Sequence, residues 1–201
     1  MADEPPSQNA STRWIETSQG ILSYSQLAPL LAERVLRVQE QVEAGFYHAD
    51  DFDEILACKL HRDFCGDLVP DWSGKWRTME VRVGTHEPPL PHLVPMQMRE
   101  YVLDLQGRLA SATSPEHLPE MLAFAEGRLL SIHPFADFNG RLARLWLWEL
   151  MRRLQLPPVE LVSLNPSLTR KYLESLRCAD RNDYNSLAEL WKERLLRAGD
   201  S

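Results

Sequence analysis

His133-Pro-Phe-Ala-Asp137-Phe-Asn139-Gly140-Arg141-Leu-Ala-Arg144 runs straight into Leu145-Trp-Leu-Trp-Glu-Leu-Met151, and the two halves together decide how this chain folds. The second half is apolar on almost every side, the pattern of a helix buried in a core rather than half-exposed. A helix over about Asn139 to Leu154, stopped before Pro157-Pro158, carries Arg141 and Arg144 toward the interior on its first turn. Unpaired buried charge is costly. Cations at a helix N-terminus also oppose the macrodipole, by ~0.3–1 kcal/mol each at exposed sites. An anion answers both problems, since backbone N–H groups at a helix start already form an anion site. The expected occupant is a phosphate.

Working outward, helical spacing dominates. Leu118, Met121, Leu122, Ala125 and Leu129 mark the helix leading into the His133 loop, and Ser114-Pro115 reads as its N-cap and first helical residue. Met98, Tyr101, Val102, Leu105 and Leu109 mark another, and Leu27, Leu31, Val35, Val38 and Val42 a third, closed by Gly45. A helix over about Phe52 to Phe64 turns Ile55, Leu56 and Leu60 inward, and two more cover about Pro166–Cys178 and Asp183–Leu196. The pattern breaks in the middle. Pro70-Asp-Trp-Ser-Gly74 is turn chemistry, Thr78 to Val83 alternates with period two, and Pro88 to Pro95 is an extended Pro-rich run. A short helix is expected at Thr12 to Ser18, after a polar, Pro-rich tail over residues 1–10 that reads as mobile. The fold class is all-α with one small β element. An isolated hairpin is only marginally stable, so this one is expected to lie on the helical body near something it contacts.

Composition narrows the function. A chain of 201 residues is one compact domain's worth. The net charge of −7 argues against nucleic acid or an acidic membrane as partner, while leaving room for a local basic pocket. Cys58, Cys65 and Cys178 are odd in number, lack metal-ligand spacing and read as reduced thiols. No apolar run approaches ~18 residues and the N-terminus lacks the layout of a secretory signal. A cytoplasmic location is expected, with delivery through a specialised secretion system left open.

Residue by residue, the opening loop assembles a phosphate-handling site. An unperturbed imidazole titrates near neutrality, so His133 can take a proton from a hydroxyl. Asp137 offers the hard oxygens that Mg²⁺ takes alongside phosphate oxygens. Gly140 lets backbone approach an anion without a Cβ in the way. Arg141 and Arg144 share one helix face, where guanidiniums fork onto phosphate. Phe135 reads as the loop's anchor in the core.

This run resembles the signature of the Fic (Fic/Doc) family, His-Pro-Phe-x-Asp/Glu-Gly-Asn-Gly-Arg-x-x-Arg. Leu60-His61 through Arg77 resembles the segment before that family's flap, and Tyr172 to Leu195 its closing helices, so the resemblance covers roughly residues 20–197. The domain division that follows is a tail (1–10), an inhibitory helix (11–19) and a Fic-like helical domain with a small β-hairpin flap (20–201). The resemblance implies a nucleotidyltransferase moving AMP from ATP, with Mg²⁺, to a Ser, Thr or Tyr hydroxyl of a target protein, self-modification included. It implies His133 as base, Asp137 as metal ligand, and Phe138, Asn139, Gly140 and Arg141 around the α- and β-phosphates. Arg144 would reach the γ-phosphate, and Met79, Val81, Val83, Gly84 and Thr85 would form the flap that docks the target.

One position departs from the signature: Phe138 stands where glycine is usual. If the backbone there is left-handed, a bulky side chain strains it, and the ring either narrows the cradle or points away. Three readings stay open: AMP transfer, a Fic-fold transferase using another donor or moving a phosphoryl group, and a non-catalytic peptide binder disabled by Phe138. Ser11-Thr12-Arg-Trp-Ile-Glu16-Thr17 also resembles the family's N-terminal inhibitory helix, which implies a Glu16–Arg144 pair holding the γ-phosphate position.

Overall fold

Among the described residues of the computed structural model (13–111, 114–161 and 165–199), the core is built round the helix that the opening run predicts. An antiparallel hairpin, β1 (Trp14–Thr17) and β2 (Gly20–Ser23), comes first. Seven helices follow: α1 (Tyr24–Glu43), α2 (Glu54–Cys65), α3 (Val94–Ser111), α4 (Leu118–Ile132), α5 (Asn139–Arg153), α6 (Pro166–Ala179) and α7 (Asn185–Gly199). Helix α5 packs against α1, α2 and α4, while α4 also meets α3, α6 and α7. Leu142, Leu145, Trp146, Leu147 and Leu150 of α5 are all buried, each large side chain contributing ~1.5–3 kcal/mol.

Polar links tie these helices in register. Trp146 donates to the Tyr101 hydroxyl at 2.8 Å, and Tyr101 donates to the Ala125 carbonyl at 2.8 Å, joining α5, α3 and α4. Glu149 is fully buried on α5 and accepts from Arg152 and Arg153, and Arg153 reaches on to the carbonyls of Tyr47 and Asp50. On α4, buried Glu126 accepts from Tyr172, Trp191 and Arg194, fixing α6 and α7 behind it. Gly127 is required where α4 and α6 cross, since a Cβ there would sit 2.7 Å from the Ala179 Cβ. Among the described residues no helix is long and apolar enough to cross a membrane.

Several expectations need correction. The segment expected as a helix at Thr12 to Ser18 is strand from Trp14 to Thr17, with Thr12 outside the described residues. Ile15 points in and pairs with Leu22 while Trp14 and Glu16 stay exposed, a two-residue period on which a two-residue turn closes before Gly20 at φ 100°. The expected inhibitory helix over 11–19 is therefore hairpin rather than helix across residues 14–19, while residues 1–12, with the tail over 1–10 among them, lie outside the described residues. The strand expected at Met79–Val83 does not form. That segment is extended with a single bridge, Val83 to His86, around the Gly84-Thr85 turn, so the sheet lies at residues 14–23 instead. Helix α3 starts inside the Pro-rich run, at Val94, because proline is tolerated in a first turn. Ser114-Pro115 opens a 3₁₀ turn before α4 rather than α4 itself, and Ile55 faces solvent.

Candidate functional site

The loop between α4 and α5 is bracketed by two residues with left-handed backbone, His133 (φ 50°) and Phe138 (φ 62°). His133 caps α4, its N–H on the Leu129 carbonyl at 3.1 Å. Its Nδ1 lies 3.3 Å from the Leu130 carbonyl. A carbonyl only accepts, so Nδ1 carries the proton and Nε2 keeps its lone pair. Burial pushes the His133 pKa down to about 4; the Leu130 contact opposes this, while Arg77, His86 and Arg13 add to it. The imidazole is neutral at physiological pH, the form that accepts a proton.

Three side chains hold the loop in this shape. Asn139, 2% exposed, accepts the Phe135 N–H through Oδ1 and donates to the Phe135 carbonyl through Nδ2, both at 2.9 Å. His61 on α2 is fully buried and stacks on Phe135 with centroids 3.9 Å apart. Its Nδ1 accepts the Gly74 N–H at 3.0 Å, which leaves Nε2–H to donate to the Asp137 carbonyl at 3.2 Å. Burial pushes its pKa down to about 4, against the Asp137 carbonyl. Arg77 binds the loop with its N–H on the Pro134 carbonyl (2.9 Å) and its Nε on the His133 carbonyl (2.8 Å). Its two Nη atoms donate to the carbonyls of Met79 and Pro89, so one guanidinium joins the loop to the flap segment.

Phe138 adopts the conformation glycine would supply, and its ring points into the core. It packs 5.3 Å from Trp72 and 6.4 Å from Phe64, centroid to centroid. Its carbonyl accepts the N–H groups of Arg141 and Leu142, starting α5. The N–H groups of Asn139 and Gly140 have no partner among the described residues, and a Cβ on exposed Gly140 would meet nothing within 4 Å. Open space therefore faces unsatisfied donors at a helix start, an anion site. Arg141 donates to the Tyr24 hydroxyl at 2.6 Å. Half-buried Arg144 makes no hydrogen bond or ion pair among the described residues. Burial lowers its pKa, Arg141 adds to that, and Tyr172 and Tyr24 oppose it. Neither arginine has an anion among the described residues, and Arg144 has no hydrogen-bond partner either.

Asp137 carries the one carboxylate of the loop over residues 133–138. Oδ1 accepts the Phe138 N–H at 2.7 Å, and Oδ2 is buried with no hydrogen bond among the described residues, its near neighbour being Arg13 Nη2 at 2.8 Å in an unaligned ion pair. Burial raises the carboxyl pKa, while Arg13, the Phe138 N–H and Arg141 lower it. A single carboxylate beside an anion site fits Mg²⁺, which binds one or two carboxylates plus phosphate oxygens. No cluster of three metal-binding side chains occurs among the described residues.

Beside His133 lies a cavity of about 250 Å³ bounded by Val83 to His86, Leu130, Leu173, Leu176, Arg177 and Asp180. His86 Nε2 donates to the Ser131 carbonyl at 2.8 Å and lies 3.6 Å from the Asp180 carboxylate, pinning the flap turn to α4 and α6. Met79, Val83, Gly84 and Thr85 are exposed and Val81 half-buried. The backbone groups of Glu80, Val81 and Arg82 make no hydrogen bond among the described residues, an open edge.

The structure thus brings together His133, Asp137, Phe138, Asn139, Gly140, Arg141 and Arg144, but turns the Asn139 amide to the loop's own backbone rather than to the cradle. Glu16 is exposed on β1 and makes no ion pair among the described residues, Arg144 included. Sequence reasoning missed Arg13, Tyr24, His61 and Arg77. His61 shares the inward α2 face with Ala57, Leu60 and Phe64, and a polar residue there signals a buried bond. Ser23-x-x-Gln26 is a capping box that makes Tyr24 the first residue of α1. Arg13 and Arg77 carried no local signal.

Comparison with known proteins gives the family and the fold. Residues 51–151 match the Fic/DOC family, and the chain belongs to it. It is 38% identical over 138 residues to protein adenylyltransferase fic-1 of Caenorhabditis briggsae, covering 68% of this chain and 25% of that protein. It is 34% identical over 125 residues to protein adenylyltransferase Fic of Drosophila persimilis, covering 62% and 23%. The chain spans about a quarter of the length of these relatives. Among solved structures, BepC of Bartonella tribocorum with bound AMPPNP has TM-score 0.72 at 14% identity over 94% of each chain. Fic-1 of C. elegans has TM-score 0.61 at 25% identity, over 84% of this chain and 49% of that one.

Proposed function

We propose that this chain transfers AMP from ATP to a hydroxyl side chain of a target protein. The observation that carries the reading is a neutral His133 with Nε2 free, on the same loop as an unpartnered Arg144 and a helix start whose N–H groups face open space. Family relatives named protein adenylyltransferase support it. In the proposed reaction His133 Nε2 takes the proton of a Ser, Thr or Tyr hydroxyl. The oxygen attacks the α-phosphorus of ATP, the bond to the β-phosphate oxygen breaks, and pyrophosphate leaves. Arg141, Arg144 and the N–H groups of Asn139 and Gly140 hold the phosphates, and catalysis comes from in-line positioning and fixed charge. Asp137 would hold Mg²⁺, which when bound supplies charge neutralisation at the phosphates. The open edge at Glu80–Arg82, with Met79, Val81, Val83, Gly84 and Thr85 around it, suits an extended target segment adding by strand pairing.

Phe138 leaves room for a phosphate at Gly140, because its ring packs against Trp72 and Phe64 with the Arg141 guanidinium 5.7 Å from its centroid, and a Cβ at Gly140 would meet nothing within 4 Å. Restraint by Glu16 finds no support in β1, where the side chain is exposed. Intact mass after incubation with Mg²⁺ and ATP, labelled separately at α and γ, tests the reading in the parent, Glu16→Gly and His133→Ala. Label from α, lost in His133→Ala, is expected. Label from γ would make it a kinase, and no label in the parent or Glu16→Gly would leave a peptide binder or another donor.

A further inference from the structure

At the open end of the β1–β2 hairpin, the Tyr24 N–H donates to the Arg13 carbonyl at 2.8 Å, so these residues sit side by side. Each reaches a charged residue of the loop. The Tyr24 hydroxyl accepts from Arg141 at 2.6 Å, and Arg13 Nη2 lies 2.8 Å from Asp137 Oδ2. The hairpin is anchored apart from these contacts: Ser18 donates through N and Oγ to the Leu68 and Asp67 carbonyls, and Ile15 is buried. The Arg13 side chain, by contrast, is 55% exposed, against 15% for Asp137. It can swing into solvent while the strand stays in place. Asp137 cannot move with it, because its Oδ1 and its carbonyl are held by the Phe138 N–H and by His61.

We infer that Arg13 is a built-in counter-cation for Asp137. Its guanidinium occupies the carboxylate while no metal–nucleotide is bound, and a divalent cation has to displace it to reach Oδ2. This rests on reading Asp137 as the metal ligand. The physical need is plain, since Oδ2 is buried without a hydrogen bond and an uncompensated carboxylate there is costly. The guanidinium meets that need with a charge that can leave, and so raises the metal concentration at which the donor site fills.

The test is Mn²⁺ binding to the full chain in the presence of ADP, with free Mn²⁺ read by electron paramagnetic resonance. The parent, Arg13→Gln, Arg13→Lys, Asp137→Asn and the Arg13→Gln/Asp137→Asn double variant are compared. Arg13→Gln is expected to tighten Mn²⁺ binding about two- to fivefold, the range of a partly exposed ion pair. Arg13→Lys stays nearer the parent, and with Asn at 137 the Arg13 change has no effect. Unchanged or weaker binding in Arg13→Gln, with Asp137-dependent binding intact in the parent, overturns the counter-cation and leaves the proposed function standing. No binding of Mn²⁺ with ADP in either the parent or Arg13→Gln removes both.

Discussion

Replacing Phe138 with glycine sets two local terms against each other. Left-handed backbone costs an L-residue ~1–2 kcal/mol, and glycine removes that strain. The ring, however, is 3% exposed and packed between Phe64 and Trp72. Deleting a buried aromatic side chain costs ~3–5 kcal/mol, and glycine's freer unfolded chain adds ~0.5–1 kcal/mol. Burial outweighs strain, so Phe138→Gly is expected to destabilise by about 2–4 kcal/mol, a fall in Tm of roughly 5–12 °C at this chain length. Phe138→Ala separates the two terms, because alanine loses the ring but keeps a Cβ at positive φ. It should fall below Phe138→Gly by about 1 kcal/mol. Thermal and urea unfolding of the three proteins measure both differences, and ADP titration reads the cradle, which Phe138→Gly should leave unchanged. A Phe138→Gly variant as stable as the parent would refute the view that ring burial compensates the strained backbone. Tighter ADP binding in that variant would instead place the ring in the cradle.

Asn139→Ala strands the N–H and carbonyl of Phe135 in a buried loop, and at ~1–3 kcal/mol for each unsatisfied group it should destabilise by about 2–4 kcal/mol in urea; a loss of under about 1 kcal/mol would show the loop held without it. His61 and His133 both have pKa values depressed to about 4, below the ordinary 6.5. Their contribution to stability is therefore fully present above pH 6.5 and is lost as pH falls toward about 4, the unfolded chain taking up protons first. Urea midpoints across that window check this, and His61→Phe should flatten part of the slope.

The helices were legible because their cause is periodic. Apolar spacing marks α1 to α5 whatever surrounds them, and α5 announced its burial by being apolar all round. The hairpin was misplaced for a related reason. Trp14-Ile-Glu-Thr17 puts two apolar residues side by side while Thr78 to Val83 alternates with period two, and nothing local says that the first rather than the second finds a partner strand. Gly20, which allows the turn, and Leu22, which meets Ile15 in the core, decided for the first. The candidate site residues that the loop gathers were readable from one twelve-residue run. Their supports were not, because Arg77 acts through carbonyls of His133 and Pro89, and His61 through the carbonyl of Asp137. A bond to a backbone atom leaves no partner type in the sequence to look for.

That difference explains how the loop keeps its shape. His133 and Phe138 stand in left-handed backbone at its two ends. Such conformations persist only where the surroundings over-determine them. Here the surroundings are Asn139 on both polar groups of Phe135, His61 on Asp137, Arg77 on His133 and Pro134, and the Phe138 ring in the core. Of these side chains none is left to touch a phosphate. Arg144 and the N–H groups of Asn139 and Gly140, which are, have no partners among the described residues. Binding a polyanion therefore asks only for an exchange of partners at Arg141 and Asp137, with Tyr24 and Arg13 yielding, and for no rebuilding of the loop. Charge fixed in place before the ligand arrives is the condition under which electrostatic stabilisation of a phosphoryl transition state is largest.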